Sequence, residues 1–293
     1  MVGRGKGRLD RFCKGWYDRL VQAQAGGPAI YHYTGPNALL GILGDKVLRA
    51  TNIAFLNDGA EYYHALRLIT EALAEGADRL PKSLAEGMRA RIESVEENVP
   101  AVYVVSFSRR PDLLSQWRGY GEVESGFCIG FGIEELSRLT EGPGMLLTPC
   151  VYEEESQRRF AADLVAMLAE MHTERGGCAD KATEALLDEA FAQLAWFAAL
   201  FKHPGFAEEQ EWRIVRHVRD DEAADLRFFS RSTCIASYLP LSFAGEADAV
   251  REVWVGPSRH QHLSVQALRS LLRQGGYPET VEIHRSAVPF RLV

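Results

Sequence analysis

Apolar and polar positions alternate with two periods along this chain. Short stretches rich in aromatic and β-branched residues alternate as strands do. Longer stretches repeat their apolar residues every three or four positions, as helices do. Residues 8–24 read as a short helix. Residues 29–34, Ala-Ile-Tyr-His-Tyr-Thr, read as a strand after a Gly-Gly-Pro break. Leu39, Leu40, Ile42 and Leu43 give a short helix face, and residues 47–53 a further strand. Asp58 with Glu61 reads as the start of a helix carrying Tyr62, Leu66, Ile69 and Leu73, and a second helix is predicted over 82–97. A strand at 102–108 is followed by a polar, glycine-bearing segment, 109–124, read as a loop. Then come a strand at 126–131, a helix to Leu139, a strand at 145–152 and long helices near 154–175 and 180–202. The tail is predicted to form strands at 210–218, 226–230, 234–239 and 250–255, a helix at 258–274, and strands at 280–284 and 289–292. This order predicts one α+β domain over 29–293, with mixed, mostly antiparallel sheets and helical insertions, preceded by a basic segment at 1–28.

Three of these strands carry polar pairs two residues apart, which places each pair on one face. His32 and Thr34 are one pair, with Tyr31 and Tyr33 opposite. Ser106 and Ser108 are the second, with Phe107 opposite. Glu209 and Glu211 are the third, with Arg213 on their side and Trp212 and Ile214 facing a core. Three strands lining one cleft would gather imidazole, hydroxyls and carboxylates, groups that grip sugar hydroxyls and stabilise developing positive charge. Each pair also has a plain structural reading: a satisfied rim histidine, a solvated strand face, and a Glu211–Arg213 surface pair. Asn57-Asp58-x-x-Glu61 reads first as a helix cap. In the segment 115–120, Trp117 reads as a packing anchor, Arg118 as a bidentate partner for phosphate or carboxylate, and Tyr120 as a ring that stacks on a planar ligand.

Composition narrows the function classes. A net charge of -7 over 293 residues argues against nonspecific nucleic-acid binding over the whole surface. No apolar run approaches the roughly 20 residues of a membrane span. Five scattered cysteines without a Cys-x-x-Cys pair argue against a disulfide framework or a zinc knuckle and fit a cytoplasmic setting, with Cys128 buried among apolar neighbours. No metal-ligand spacing is present. A metal hydrolase would need Asp58, Glu61, Glu209 and Glu211 brought together by the fold.

The succession of Tyr31-His32-Tyr33-Thr34, Asn52 with Asn57-Asp58-x-x-Glu61, Ser106-Phe107-Ser108, Ser115 to Tyr120, Gly126 to Phe131, Glu208 to Arg213 and Trp254 to Pro257 resembles the bacterial domain of unknown function family 2971. That family carries no activity to transfer. A second resemblance does. Aromatic-His-aromatic-Thr before a short helix is similar to the start of ADP-ribosyltransferases of the DarT type. Ser-x-Ser and Glu-x-Glu are similar to elements of the arginine-modifying transferases, whose first-strand residue is arginine rather than histidine. That resemblance implies a split β core and NAD as substrate, with Glu211 catalytic and Glu209 positioning or deprotonating the acceptor. It implies that His32 holds the NAD ribose and Ser106 supports the site. Tyr33, Thr34, Asn57, Ser108, Arg118 and Tyr120 complete the expected cofactor-binding set. The acceptor would be a protein, a nucleic acid or water, and the role that of a toxin or anti-phage effector. The alternative is a noncatalytic nucleotide- or peptide-binding sensor of a bacterial stress or defence system. The two differ geometrically. In an enzyme His32, Ser106 and Glu211 face one cleft. In a scaffold they scatter, with Glu211 saturated by Arg213.

Overall fold

The computed structural model describes residues 7–22, 28–56, 60–76, 80–96, 101–120, 126–142, 144–174, 181–231, 234–246 and 248–289. In α1 (Arg8–Gln22), Leu9, Cys13 and Trp16 fall on one buried face at helical spacing. β1 (Ala29–Thr34) leads into α2 (Pro36–Asp45), which starts on a proline suited to a first turn. β2 (Val47–Asn52), α3 (Ala60–Glu75) and α4 (Lys82–Glu93) follow, then β3 (Val102–Ser108). Within the segment read as a loop stands α5 (Leu114–Tyr120). Its glycine does not prevent a helix because Leu113 and Trp117, four apart, bury together against Tyr33. β4 (Phe127–Gly132), α6 (Ile133–Leu139), β5 (Met145–Pro149), α7 (Glu154–Glu174) and α8 (Lys181–Ala198) come next. β6 (Glu211–His217), β7 (Arg227–Ser230), β8 (Ile235–Ser242), β9 (Val250–Val255), α9 (Gln261–Gln274) and β10 (Glu282–Arg285) complete the order. The strand expected at 289–292 falls almost wholly outside the described residues, and Pro289 itself is not in a strand.

The fold is α+β, as the pattern predicts, around a mixed and mostly antiparallel sheet; among the described strands only β9 and β10 pair in parallel. β3 is its pivot. One edge of β3 pairs with β6 along its whole length, from Val102↔His217 to Ser108↔Glu211, and β5 extends that side. The other edge is shared. β1 takes the end at Tyr31↔Ser108, while β2 takes the beginning at Asn52↔Tyr103 and Thr51↔Val104. The β1 arm continues through β4, β9 and β10, and the β2 arm through β8 and β7. Between the arms the ladder is interrupted at Val105 to Phe107, and the sheet forks there.

The core has two large layers. One sheet face, with Val102, Val104 and Val215, packs under α1, α3, α4, α7 and α8. The other, with Ile30, Phe107, Phe131 and Ile214, packs under α2, α6 and α9. Alternation along β6 explains the division. Trp212 and Ile214 enter the second layer and Val215 the first, as period two requires. No described helix is long and apolar enough to cross a membrane.

Candidate functional site

The fork in the sheet is where chemistry gathers. Among the described residues no strand pairs with the forked edge of β3 at Ser106, so its carbonyl needs another donor. His32 supplies it, with Nδ1 donating to Ser106 O at 2.9 Å. A carbonyl only accepts, so the proton sits on Nδ1 and leaves Nε2 of the neutral ring as an acceptor. Burial lowers the His32 pKa, and the Ser106 contact only partly opposes it. Phe107 lies against the ring, with centroids 5.7 Å apart.

The carboxylates arrive differently from a simple strand pair. The strand begins at Glu211, not at residue 209. Glu209 closes a short 3-10 turn, Pro204–Glu209, and Gln210 adopts the left-handed region at φ 45°. Ser108 pins this kink: its Oγ donates to Glu209 O at 2.8 Å and accepts from Arg110 N–H at 3.0 Å. The two carboxylates still converge, because Lys202 sits between them. Its Nζ is 2.5 Å from both Glu209 Oε2 and Glu211 Oε2. Lys202 is fully buried. Its backbone is fixed by Val151, which accepts from its N–H at 3.0 Å, and by the Gln157 side-chain amide, which donates to its carbonyl at 2.9 Å.

Arg213 completes the cluster. Nε donates to Glu211 Oε1 at 2.6 Å, Nη2 to Oε2 at 3.1 Å, and Nη1 to the Ala199 carbonyl at 2.8 Å. Arg213 is only 2% exposed and Glu211 5%. Burial alone would raise the Glu211 carboxyl; Arg213 and Lys202 outweigh it and bring the pKa down to about 2. The Tyr152 hydroxyl accepts the Glu211 backbone N–H at 2.9 Å, which fixes the start of the strand.

Two adjoining cavities open at the fork. The smaller, about 340 Å³, is lined by Tyr31, His32, Tyr33, Ser106, Ser108, Gln116, Tyr120, Glu209 and Glu211. The larger, about 1050 Å³, shares His32, Ser106 and Tyr120 and extends along β2 to Arg49, Phe229 and Arg231. His32, Ser106 and Glu211 therefore face one cleft, the arrangement expected of an enzyme. Glu211 is also ion-paired with Arg213 and Lys202, close to the arrangement expected of a scaffold, but the three contacts leave one acceptor position open.

The other candidates divide. Tyr33 lines the smaller cavity, but its hydroxyl is committed, donating to Arg110 O at 2.7 Å and accepting from Leu113 N–H at 3.0 Å. Thr34 is buried at the end of β1 and lines neither cavity; Arg118 is exposed on α5 and lines neither. Gln116 and Tyr120, four apart on α5, present their side chains to the cleft instead. Asn57, with Asp58, lies outside the described residues. Cys128 is fully buried. Among the described residues no group of His, Cys, Asp or Glu has the makings of a metal site.

Sequence reasoning missed Lys202, Gln116, Arg49 and Arg231. Only Lys202 had a usable signal: it ends the uncharged apolar run from Trp196 to Phe201, where no solvated neighbour awaits an ammonium.

The fold and site together define an α+β protein with a forked sheet and a charged cleft at the fork. Residues 116–214 match the family described as "Protein of unknown function (DUF2971)". That segment runs from Gln116 of α5 through the carboxylates to Ile214 of β6, and the His32 strand lies outside it. No curated protein and no solved structure matches the chain.

Proposed function

We propose that the fork is a dinucleotide cleft of ADP-ribosyltransferase type, with NAD as substrate. The observation that carries this reading is the convergence of His32, Ser106, Tyr120, Glu209 and Glu211 on one cavity, around a carboxylate held ionised. An ionised carboxylate has about four lone-pair positions. Lys202 and Arg213 occupy three, leaving one for a ribose hydroxyl. That bond strengthens as the C–N glycosidic bond breaks, nicotinamide leaves with the bonding electrons and the ribose becomes oxocarbenium-like. The acceptor's lone pair then forms the new bond to that carbon, and its proton passes to Glu209 or water. His32 Nε2 is a further acceptor for a sugar hydroxyl, and Tyr120 offers a ring face.

Incubating the protein with NAD, with and without bacterial lysate, tests this. Release of nicotinamide, lost in Glu209→Gln, is expected; no release under either condition removes the transferase reading. Label transferred from NAD to protein or nucleic acid would name the acceptor class. Glu211→Gln is near-isosteric, yet it leaves Lys202 and Arg213 facing a neutral amide in a buried site. Its loss of turnover counts only where circular dichroism shows the fold intact. The second reading, a noncatalytic nucleotide-binding module, is favoured by the pairing of Glu211 with both Lys202 and Arg213. NAD binding without turnover is its signature.

A further inference from the structure

The two cavities share a wall and are lined by ionisable groups of opposite kind. Among the described lining residues the smaller has two carboxylates and no cation, and the larger has three guanidiniums and no carboxylate. Arg213 is committed to Glu211. Arg49 and Arg231 are not: among the described residues neither is in ion-pair contact with a carboxylate. Each lies over an aromatic ring instead, Arg49 5.3 Å from the Tyr238 centroid and Arg231 5.7 Å from that of Phe229. Alternation along β2 buries Leu48 and Ala50 and turns Arg49 outward, so the core makes no use of its charge.

Two guanidiniums unpaired with carboxylates in one concave lobe hold a focused positive potential, and their planar forks match phosphate oxygens. We propose that this lobe is a phosphate-binding subsite for a soluble nucleoside diphosphate or a larger nucleotide, held by Arg49 and Arg231. The carboxylates of the smaller lobe are already paired with Lys202 and Arg213 and offer phosphate oxygens no donor. A bound ligand is thereby oriented, with its phosphates at the arginines and its end of developing positive charge at Glu209 and Glu211. A polynucleotide would need a basic track beyond the lobe, and the chain's net charge of -7 opposes one. This subsite deepens the reading of the fork as a dinucleotide cleft and rests on it for the ligand's orientation; phosphate binding itself is measured without turnover.

Isothermal titration with ADP and with adenosine is the test. ADP is expected to bind at least roughly tenfold more tightly than adenosine and to weaken as salt rises. Arg49→Gln and Arg231→Gln should each weaken ADP about tenfold and leave adenosine unchanged. Equal affinity for the two probes, absence of ADP binding, or ADP affinity indifferent to both substitutions overturns the subsite. A 5′-phosphorylated oligonucleotide that binds more tightly than ADP overturns the small-ligand assignment. Arginine-dependent ADP binding without nicotinamide release leaves the subsite standing and removes the transferase reading. Nicotinamide release with ADP affinity indifferent to both arginines does the reverse.

Discussion

The acidic and basic lobes of the cleft differ in what their charges are for. Glu209 and Glu211 meet Lys202 and Arg213 inside the fold, and the set of two anions and two cations is neutral and largely buried. Arg49 and Arg231 have no carboxylate counter-ion among the described residues and line the larger cavity. A buried pair is weak grounds for calling a protein stable, yet removing one member is costly because the survivor is left uncompensated. A charge the fold does not use costs little to remove. The acidic lobe should therefore answer to mutation through stability as well as turnover, and the basic lobe through ligand affinity with the fold unchanged.

The largest effect is expected at Lys202. Lys202→Met keeps an unbranched side chain but removes the ammonium between two carboxylates. A loss of about 3–5 kcal/mol is expected in urea denaturation. The Lys202→Met/Glu211→Gln double variant should lose less than the sum of the singles, since each change removes the other's stranded charge. Additive losses would break the comparison, because the cluster would then not act as a unit.

Acid titration gives the next effect. The Glu211 carboxyl is depressed to about 2, so its contribution is fully present above its unfolded value near 4.5 and is lost as pH falls towards 2. The shift corresponds to something on the order of 3 kcal/mol. His32 acts earlier. Its pKa is lowered by burial, so the unfolded chain takes up a proton below about pH 6.5 while the folded ring stays neutral, and stability declines from there. The Glu211→Gln variant, where folded, should keep the first decline and lose the second. Identical profiles in the two proteins would detach the acid sensitivity from this lobe.

The two lobes were unequally legible in the sequence. Period-two alternation gave β3 and the faces of β6 because a strand obeys it residue by residue. It put Ser106 with Ser108 on one face of β3 and Glu211 with Arg213 on one face of β6; that these are the same side of the sheet comes from the ladder register. It could not see the left-handed kink at Gln210, since a short turn and a strand entry share the same polar letters. Nor could it see Lys202, whose partners lie 7 and 9 positions away across a turn. The segment 109–124 reads as a loop on its glycines, while burial of Leu113 and Trp117 under Tyr33 outweighs the helix cost of one exposed glycine. Arg49 and Arg231 were illegible for a different reason. An outward arginine on an alternating strand looks like ordinary surface, and only the fork between β1 and β2 turns that surface into the wall of a cavity.

The smallest stability effect is expected where the largest binding effect is. Arg49→Gln and Arg231→Gln should each move the unfolding free energy by less than about 0.5 kcal/mol, because neither charge meets a carboxylate among the described residues. Their loss should instead flatten the salt dependence of ADP binding, since fewer screened contacts remain. A thermal melt beside the titration separates the two quantities in one sample. If either substitution lowers the melting temperature as far as Lys202→Met does, the basic lobe is part of the scaffold after all. The contrast between an acid pole on which the fold depends and a basic pole on which it does not would then disappear.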